Sequence, residues 1–165
     1  MTVLDTKTKI ALKNILWATD FSEGSKHVLR YAEAIAHRYG SKIFATHVVP
    51  PEIYNLMPPN AVNYASLDMV GNAKSRLAEF SKTIPSSIRH EDVVREGPLA
   101  GTLFEMIQDL NIDLVVLGTQ GLEGIKKLFL GSAAEEIFRV ATCPVLTVGP
   151  FAGEMPPAEA EVKRI

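Results

Sequence analysis

Short apolar runs alternate along the chain with longer segments in which apolar residues recur every three or four positions. Such runs predict buried strands, and the longer spacing predicts helices that pack with one face inward. The pattern predicts five strands, at 15–19, 42–49, 89–95, 113–117 and 144–148, and the strand at 89–95 is weak and polar and is expected at an edge of the sheet. It also predicts four helices, which begin after Ser22, after a proline-rich loop of lid-like length at 52–60, at Pro98 and at Ser132.

This alternation predicts one doubly wound α/β domain, a five-stranded parallel sheet covered by helices on both faces. Right-handed crossovers allow few strand orders, and among them we expect the order 3-2-1-4-5. Its switch point lies between the first and fourth strands, and open sheets bind ligands at the carboxyl ends of the strands beside that point. Asp20 follows the first strand and Gly118 ends the fourth, so both are expected at one crevice.

Three glycines and a serine with fixed spacing follow the fourth strand: Gly118, Gly121, Gly131 and Ser132. A loop with few side chains presents bare backbone N–H groups, and the helix that begins at Ser132 adds the positive end of its dipole. Together these features predict a phosphate site and therefore a bound nucleotide. The alternative is that the glycines only serve turns.

Several candidate residues have two competing roles. Asp20 can accept a hydrogen bond from a ribose hydroxyl, or it can cap the first helix. The Ser132 hydroxyl can cap the fourth helix or donate to a phosphate oxygen, and the backbone N–H of Ser132 or Ala133 can serve the phosphate in either case. Lys126 and Lys127 either meet phosphate or are simply solvated.

No arrangement of residues indicates catalysis. The Gly-x4-Gly-Lys-Ser/Thr loop, the Gly-x-Gly-x2-Gly fingerprint and the Gly-x-Ser-x-Gly elbow are all absent from the sequence. Nothing pairs a general base with a nucleophile, so any ATP hydrolysis is expected to be slow and incidental. The histidines lack metal-ligand spacing, His47 is expected to be a packed histidine, and Cys143 is expected to be a buried, inert thiol.

Composition favours a single cytoplasmic domain. The chain has 165 residues, is 47% hydrophobic and carries a formal net charge of -2. The mixed charges argue against a nucleic-acid partner, and no apolar run is long enough to span a membrane. One cysteine excludes an intrachain disulfide and suits a reducing compartment. We expect a flexible N-terminus at 1–12, a folded domain at 13–150 and a mobile tail, rich in Pro, Glu and Ala, at 151–165.

The spacing Gly-x2-Gly-x9-Gly-Ser at 118–132 resembles the signature of the universal stress protein family, in its ATP-binding branch. The segment Thr-Asp-Phe-Ser at 19–22 resembles the end of that family's first strand, and Cys-Pro-Val-Leu at 143–146 resembles its last strand. The resemblance covers about residues 13–149. It implies a Rossmann-like fold of the adenine nucleotide alpha hydrolase type.

The resemblance also implies that the chain binds ATP, with magnesium where ATP carries it. Ala18 and Thr19 would line the adenine, Asp20 would hold the ribose or adenine side, and the Val48 backbone would meet the adenine edge. Gly118 would approach the ribose and the phosphates. The remaining implied contacts lie along the phosphate chain, namely Gly121, Lys127, Gly131, Ser132 and Ala133.

One departure from the family pattern bears on the ligand. Many members carry a basic residue directly after the second glycine, whereas this chain has Leu122 followed by Glu123. AMP or cyclic AMP therefore stays open beside ATP, as do a weak ATPase and an interaction module with an empty pocket. The family commonly dimerises through its last strand, which implies a homodimer through Val145–Val148. The expected role is stress response or signalling through nucleotide-dependent loop ordering and dimerisation.

Overall fold

The computed structural model describes residues 10–51, 59–119 and 132–149. Within these ranges the strands are β1 (Asn14–Ala18), β2 (Lys42–Val49), β3 (His90–Glu96), β4 (Leu114–Gly118) and β5 (Val145–Val148). The helices are α1 (Glu23–Tyr39), α2 (Pro59–Ser81), α3 (Leu99–Asp109) and α4 (Ser132–Val140). Every strand pairing is parallel, and the order is β3-β2-β1-β4-β5. The predicted fold and strand order are therefore confirmed.

Two apolar layers enclose the sheet. Alternate residues of a strand point to opposite faces, so Ile15 and Trp17 of β1 join one layer while Leu16 joins the other. Residues of α1 and α2 complete the first layer, and residues of α3 and α4 complete the second. Because β1 is covered on both faces and paired on both edges, it forms the rigid centre on which the carboxyl edge of the sheet is built.

Helix α1 begins and ends as the sequence predicts. The Ser22 side chain accepts a hydrogen bond from the backbone N–H of Ser25, which caps the N-terminus. Gly40 has a φ of 67° at the C-terminus, a left-handed conformation that favours glycine. The cap at Ser22 directs the chain from the end of β1 into the helix and so determines where Asp20 lies.

The start of α2 differs from the prediction. The sequence predicts a loop up to residue 60, but Pro59 is already the first residue of α2. Proline is favourable in the first turn of a helix, since the N–H that it lacks would have no partner within the helix. Residues 52–58 of the predicted loop lie outside the described ranges.

Residues 1–9 of the predicted flexible N-terminus and the whole predicted tail, 151–165, also lie outside the described ranges. Of the residues expected to be flexible, Leu12 is half-buried against the first apolar layer, and its carbonyl oxygen accepts a hydrogen bond from the Ser41 hydroxyl. No helix in the described ranges is long and apolar enough to cross a membrane. A group of three or more potential metal ligands is also absent from the residues that the structure describes.

Candidate functional site

The switch point of the sheet brings Ala18 and Gly118 to one edge. Trp17 of β1 lies opposite Val116 of β4, so the two strands end side by side, at Ala18 and at Gly118. Both residues are half-buried. The next residue after β4, Thr119, donates its N–H to the carbonyl oxygen of Val148 across 3.1 Å. The carboxyl ends of β1 and β4 therefore meet at the switch point, where the strand order predicts the crevice.

Asp20 lies two residues after the end of β1 and is held by two serines. Its Oδ1 accepts a hydrogen bond from the Ser22 N–H at 3.0 Å and another from the Ser25 hydroxyl at 2.6 Å. In the described part of the chain, no group donates to Oδ2. Burial by itself raises the pKa of Asp20, but the hydrogen bonds from Ser22 and Ser25 outweigh it and hold the pKa below its ordinary value of 3.8. The carboxylate is therefore ionised at neutral pH.

Thr19 directly follows β1 and is hydrogen-bonded to β2. It is almost fully buried, at 6% exposure. Its N–H donates to the carbonyl oxygen of Thr46 at 2.9 Å, and its hydroxyl oxygen accepts the Phe21 N–H at 3.0 Å. Its carbonyl oxygen accepts a hydrogen bond from Nδ1 of His47 at 2.8 Å. All three polar groups of Thr19 thus have partners within the fold.

Val48 presents its backbone to the same edge. Along β2, the Thr46 carbonyl oxygen faces β1, where it accepts the Thr19 N–H, and the Val49 carbonyl oxygen faces β3, where it accepts the Gly97 N–H. Backbone groups alternate in direction along a strand, so the N–H and C=O of Val48 face the β1 side. Since β1 ends at Ala18, opposite Thr46, these two groups lie beyond the last paired position. These two groups can bind the edge of a ligand ring that carries one hydrogen-bond acceptor and one donor.

The phosphate side of the predicted site is only partly described. Helix α4 begins at Ser132, so the backbone N–H groups of its first turn have no partners within the helix. Ser132 and Ala133 contribute this helix start. Gly121, Lys127 and Gly131 lie outside the described residues.

A cluster of side chains around the Phe21 ring, next to Asp20 in the chain, was not predicted from the sequence. Phe21 has a φ of 66°, a left-handed conformation that is unusual for an aromatic residue. Its ring centroid lies 4.2 Å from that of His47 and 5.4 Å from that of Phe80. The Arg76 guanidinium covers the Phe21 ring at 4.3 Å from its centroid. The expectation of a packed His47 is thus confirmed, with neighbours that were not foreseen.

Burial lowers the pKa of His47 from its ordinary value of 6.5, and the nearby Arg76 charge lowers it further. The hydrogen bond to Thr19 and the Asp20 charge oppose this shift without cancelling it. A carbonyl oxygen only accepts hydrogen bonds, so Nδ1 of His47 carries the proton. The neutral form with a proton on Nδ1 therefore predominates at neutral pH.

Two features of the sequence indicate Ser25 and His47, whose contacts around Asp20 were not predicted. Ser25 lies three residues after the cap Ser22, on the turn of α1 that faces back toward β1. His47 lies next to Val48, near the end of the predicted second strand.

Cys143 was expected to be buried, but it is only half-buried. Burial and the Asp113 charge raise the pKa of its thiol, so this thiol is protonated at neutral pH, in line with the expected inert thiol.

Known proteins are similar to this chain in both fold and sequence. The model of the universal stress protein family matches residues 11–149. Universal stress protein A homolog 1 of Coxiella burnetii is 35% identical over 142 residues, covering 82% of this chain and 95% of the relative. The solved structure of universal stress protein MJ0577 of Methanocaldococcus jannaschii has a TM-score of 0.76 at 23% identity and covers 85% of this chain and 97% of that chain.

Two further solved structures of this family contain nucleotides. One is a universal stress protein in complex with cAMP, with a TM-score of 0.55 at 22% identity. The other is the universal stress protein from Archaeoglobus fulgidus in complex with dAMP, with a TM-score of 0.52 at 17% identity. Each comparison covers 84% of this chain and 98% of the other chain.

The sheet order, the four helices and the crevice beside β1 and β4 form the adenine nucleotide alpha hydrolase-like arrangement. The family match spans nearly all of the described residues, and the Coxiella relative exceeds 30% identity over most of both chains. The chain therefore belongs to the universal stress protein family.

Proposed function

We propose that this protein binds an adenine nucleotide in the crevice between β1 and β4 and acts in stress response or signalling. The observation that carries the proposal is the Asp20 carboxylate. Oδ1 is held by Ser22 and Ser25, while no group among the described residues donates to Oδ2. An ionised carboxylate with one oxygen held and the other available is suited to accept a ribose hydroxyl.

The Val48 backbone supports adenine as the base. A backbone N–H can donate to N1 of adenine, and the C=O of the same residue can accept from its amino group. Guanine has the opposite pattern along this edge, with an acceptor at O6 and a donor at N1. A guanine in the same pose would leave both Val48 groups unpaired, at a cost of about 1–3 kcal/mol each. Ala18 and Thr19 would then lie under the base.

The phosphates are proposed to lie against the glycine loop and the start of α4. Gly118 ends β4 at the crevice, and the first turn of α4 supplies N–H groups from Ser132 and Ala133. Gly121, Gly131 and Lys127 would complete this side. Magnesium brought with ATP would bind chiefly to phosphate oxygens, since it needs few protein ligands.

The number of phosphates is a separate question from nucleotide binding. The family includes a structure in complex with cAMP and another in complex with dAMP, and both ligands combine adenine, a sugar and one phosphate. Leu122 and Glu123 remove a cation and add an anion where many family members carry a basic residue. We retain ATP as the proposed ligand. AMP or cyclic AMP is the alternative, which the presence of Leu122 and Glu123 favours.

Nucleotide binding is proposed to act through assembly rather than through catalysis. Phosphates bound to the glycine loop would favour its ordered form, and a ligand shifts such an equilibrium only by its differential affinity for the two forms. Dimerisation through the edge of β5 would then report to protein partners whether a nucleotide is bound. We propose no catalytic residue.

Isothermal titration calorimetry of the purified protein with ATP, AMP, cyclic AMP and GMP tests the proposal. At least one adenine nucleotide should bind with a stoichiometry of one per chain, and GMP should bind at least fivefold more weakly than AMP. Equal affinity for AMP and GMP would contradict the Val48 contact. No heat with any adenine nucleotide would contradict the function itself.

A paired variant separates the phosphate site from the base site. The double substitution Gly121→Val and Gly131→Val should weaken ATP far more than adenosine, because only ATP uses the loop amides. The matched control is Gly71→Val, on an exposed position of α2 where an added Cβ meets nothing within 4 Å. If the double variant binds ATP as the control does while remaining folded, the glycine loop is not the phosphate site.

A further inference from the structure

We propose that His47 is the positioning residue for the Asp20 carboxylate, because it holds both chain neighbours of Asp20, and this inference rests on the proposed function. Thr19 and Phe21 flank Asp20 in the chain, and His47 contacts each of them. The direction of the Asp20 side chain follows from the backbone of these two neighbours. A shift of His47 therefore moves the carboxylate without touching it.

The contact with Thr19 is a hydrogen bond between residues far apart in sequence. Nδ1 of His47 donates to the Thr19 carbonyl oxygen at 2.8 Å, across 28 positions of the chain. A carbonyl at the end of β1 normally receives an N–H from the neighbouring strand. Here the His47 side chain supplies that donor. The ring of His47 thus satisfies Thr19 and leaves the Val48 backbone available.

The contact with Phe21 stabilises an unfavourable backbone conformation. A left-handed φ of 66° is unfavourable at an aromatic residue and persists only where the surroundings enforce it. The surroundings here are His47 on one side of the Phe21 ring and Phe80 at its edge, with Arg76 over its face. This conformation turns the Ser22 N–H back toward Oδ1 of Asp20.

The charges around His47 keep it a neutral donor. Arg76 approaches from α2, and Asp20 lies after β1. Lys26 of α1 lies over the Phe80 ring, at 5.1 Å from its centroid. On β3, the position in register with His47 is the uncharged Val94. A proton on Nε2 would place a second cation beside Arg76, so His47 acts as a fixed hydrogen-bond donor and adds no charge to the nucleotide site.

A purely structural role for His47 makes a different prediction from a positioning role. If the ring only fills space, replacing it should weaken all ligands by the same factor. If it positions Asp20, replacing it should remove specifically the contribution of the ribose hydroxyls. The ratio of AMP affinity to 2′,3′-dideoxy-AMP affinity measures that contribution, since the two ligands differ only in the hydroxyls that Asp20 would bind.

Calorimetry with these two ligands on four proteins tests the inference. The wild type should prefer AMP by about tenfold or more, and Asp20→Ala should bring the ratio close to one. His47→Phe keeps a ring against Phe21 but has no donor, and its ratio should fall at least threefold below that of the wild type. His47→Asn places an amide N–H near the position of Nδ1, and its ratio should stay within about twofold of the wild type.

Each result decides between the alternatives. An unchanged ratio in His47→Phe, or a ratio lost equally in His47→Asn, would overturn the inference. Thermal unfolding establishes that each variant is folded, and His47→Ala, in which water can reach the Thr19 carbonyl, replaces His47→Phe if that variant does not fold. A wild type that binds both ligands equally would overturn the Asp20 contact and this inference with it. A wild type that binds no nucleotide would instead overturn the proposed function.

Discussion

The Ser25 hydroxyl donates to Oδ1 of Asp20 across 2.6 Å, and the same hydroxyl oxygen accepts the Asp20 N–H at 3.3 Å. Ser25 is nearly buried, at 7% exposure, so water has little access to replace it. Hydrogen bonds to an ionised acceptor are shorter and stronger than neutral ones. This pair therefore fixes the turn between β1 and α1 and the carboxylate within it.

Replacing Ser25 by alanine should destabilise the protein and raise the pKa of Asp20. Loss of a hydrogen bond to a charged group costs about 1.5–3 kcal/mol, and the partial exposure of Asp20 places the expected loss at the lower end of that range. Chemical denaturation measures it. The control is Ser75→Ala, an exposed serine of α2 that bonds only to the carbonyl of Gly71. Equal stability of the two variants would show that the Ser25 bond contributes nothing specific.

The fold was predictable because local patterns agree with it at every step. Four apolar runs and one weak, polar strand at 89–95, separated by helical spacing, predict a parallel sheet with crossovers, and crossover handedness leaves few strand orders. The adjacent ends of β1 and β4, at Ala18 and Gly118, follow directly from that order. Both ends of β2 were predicted correctly, whereas β1, β3 and β4 were each displaced by one residue, because apolar patterns do not mark the last paired position.

The inner structure of the site was not predictable, because it depends on register and backbone conformation. His47 reaches Thr19 only because β1 ends opposite Thr46, and no local pattern reports that alignment. Phe21 adopts a positive φ that its residue type does not favour, so propensity argues against the observed turn. The Val48 backbone is available only as a consequence of both features.

The stability of the folded protein should fall as the pH decreases below about 6.5. Burial lowers the pKa of His47 from 6.5 in the folded state, so the unfolded chain binds this proton more readily. The contribution of His47 to stability is therefore complete above the pKa of the unfolded chain, about 6.5, and is lost as the pH falls from there through the lower pKa of the folded state. Calorimetric melting at pH 7.5 and pH 5.5 should show a smaller decrease for His47→Asn than for the wild type. Equal decreases would contradict the burial of a neutral imidazole.

Gly97 should not tolerate a side chain. Its φ is 151°, and an added Cβ would lie 2.4 Å from Oγ1 of the buried Thr102. Its N–H also donates to the Val49 carbonyl oxygen, which orients the backbone next to Val48. Gly97→Ala is expected to cost about 1–3 kcal/mol of unfolding free energy, measured by denaturant titration.

Gly101 offers a matched control for Gly97 within the same region. It lies in α3, four residues later, and an added Cβ there meets nothing within 4 Å. Gly101→Ala should therefore stabilise the protein by about 0.5–1 kcal/mol, because alanine favours the helix. Opposite signs for the two alanine substitutions are expected. The same sign for both would contradict the local geometry around Gly97.

The proposed dimer should depend on the free edge of β5, which is an edge strand in the described sheet. The Pro144 and Val148 carbonyls accept hydrogen bonds from the β4 side, so the Thr147 N–H points outward by alternation. Thr147→Pro removes an outward donor and leaves the pairing with β4 intact. Light scattering at micromolar concentration should give twice the chain mass for the wild type and a smaller mass for the variant. A monomeric wild type would contradict assembly through this edge.

Native mass spectrometry of freshly purified protein, beside its Asp20→Ala variant, tests the central claim most directly, since it identifies the ligand without choosing it in advance. We predict one adenine nucleotide per wild-type chain, retained on purification or on addition of ATP, AMP or cyclic AMP, with much lower occupancy in the variant. A wild type that carries no nucleotide and gains none at millimolar concentration would contradict the account, as would equal occupancy in Asp20→Ala.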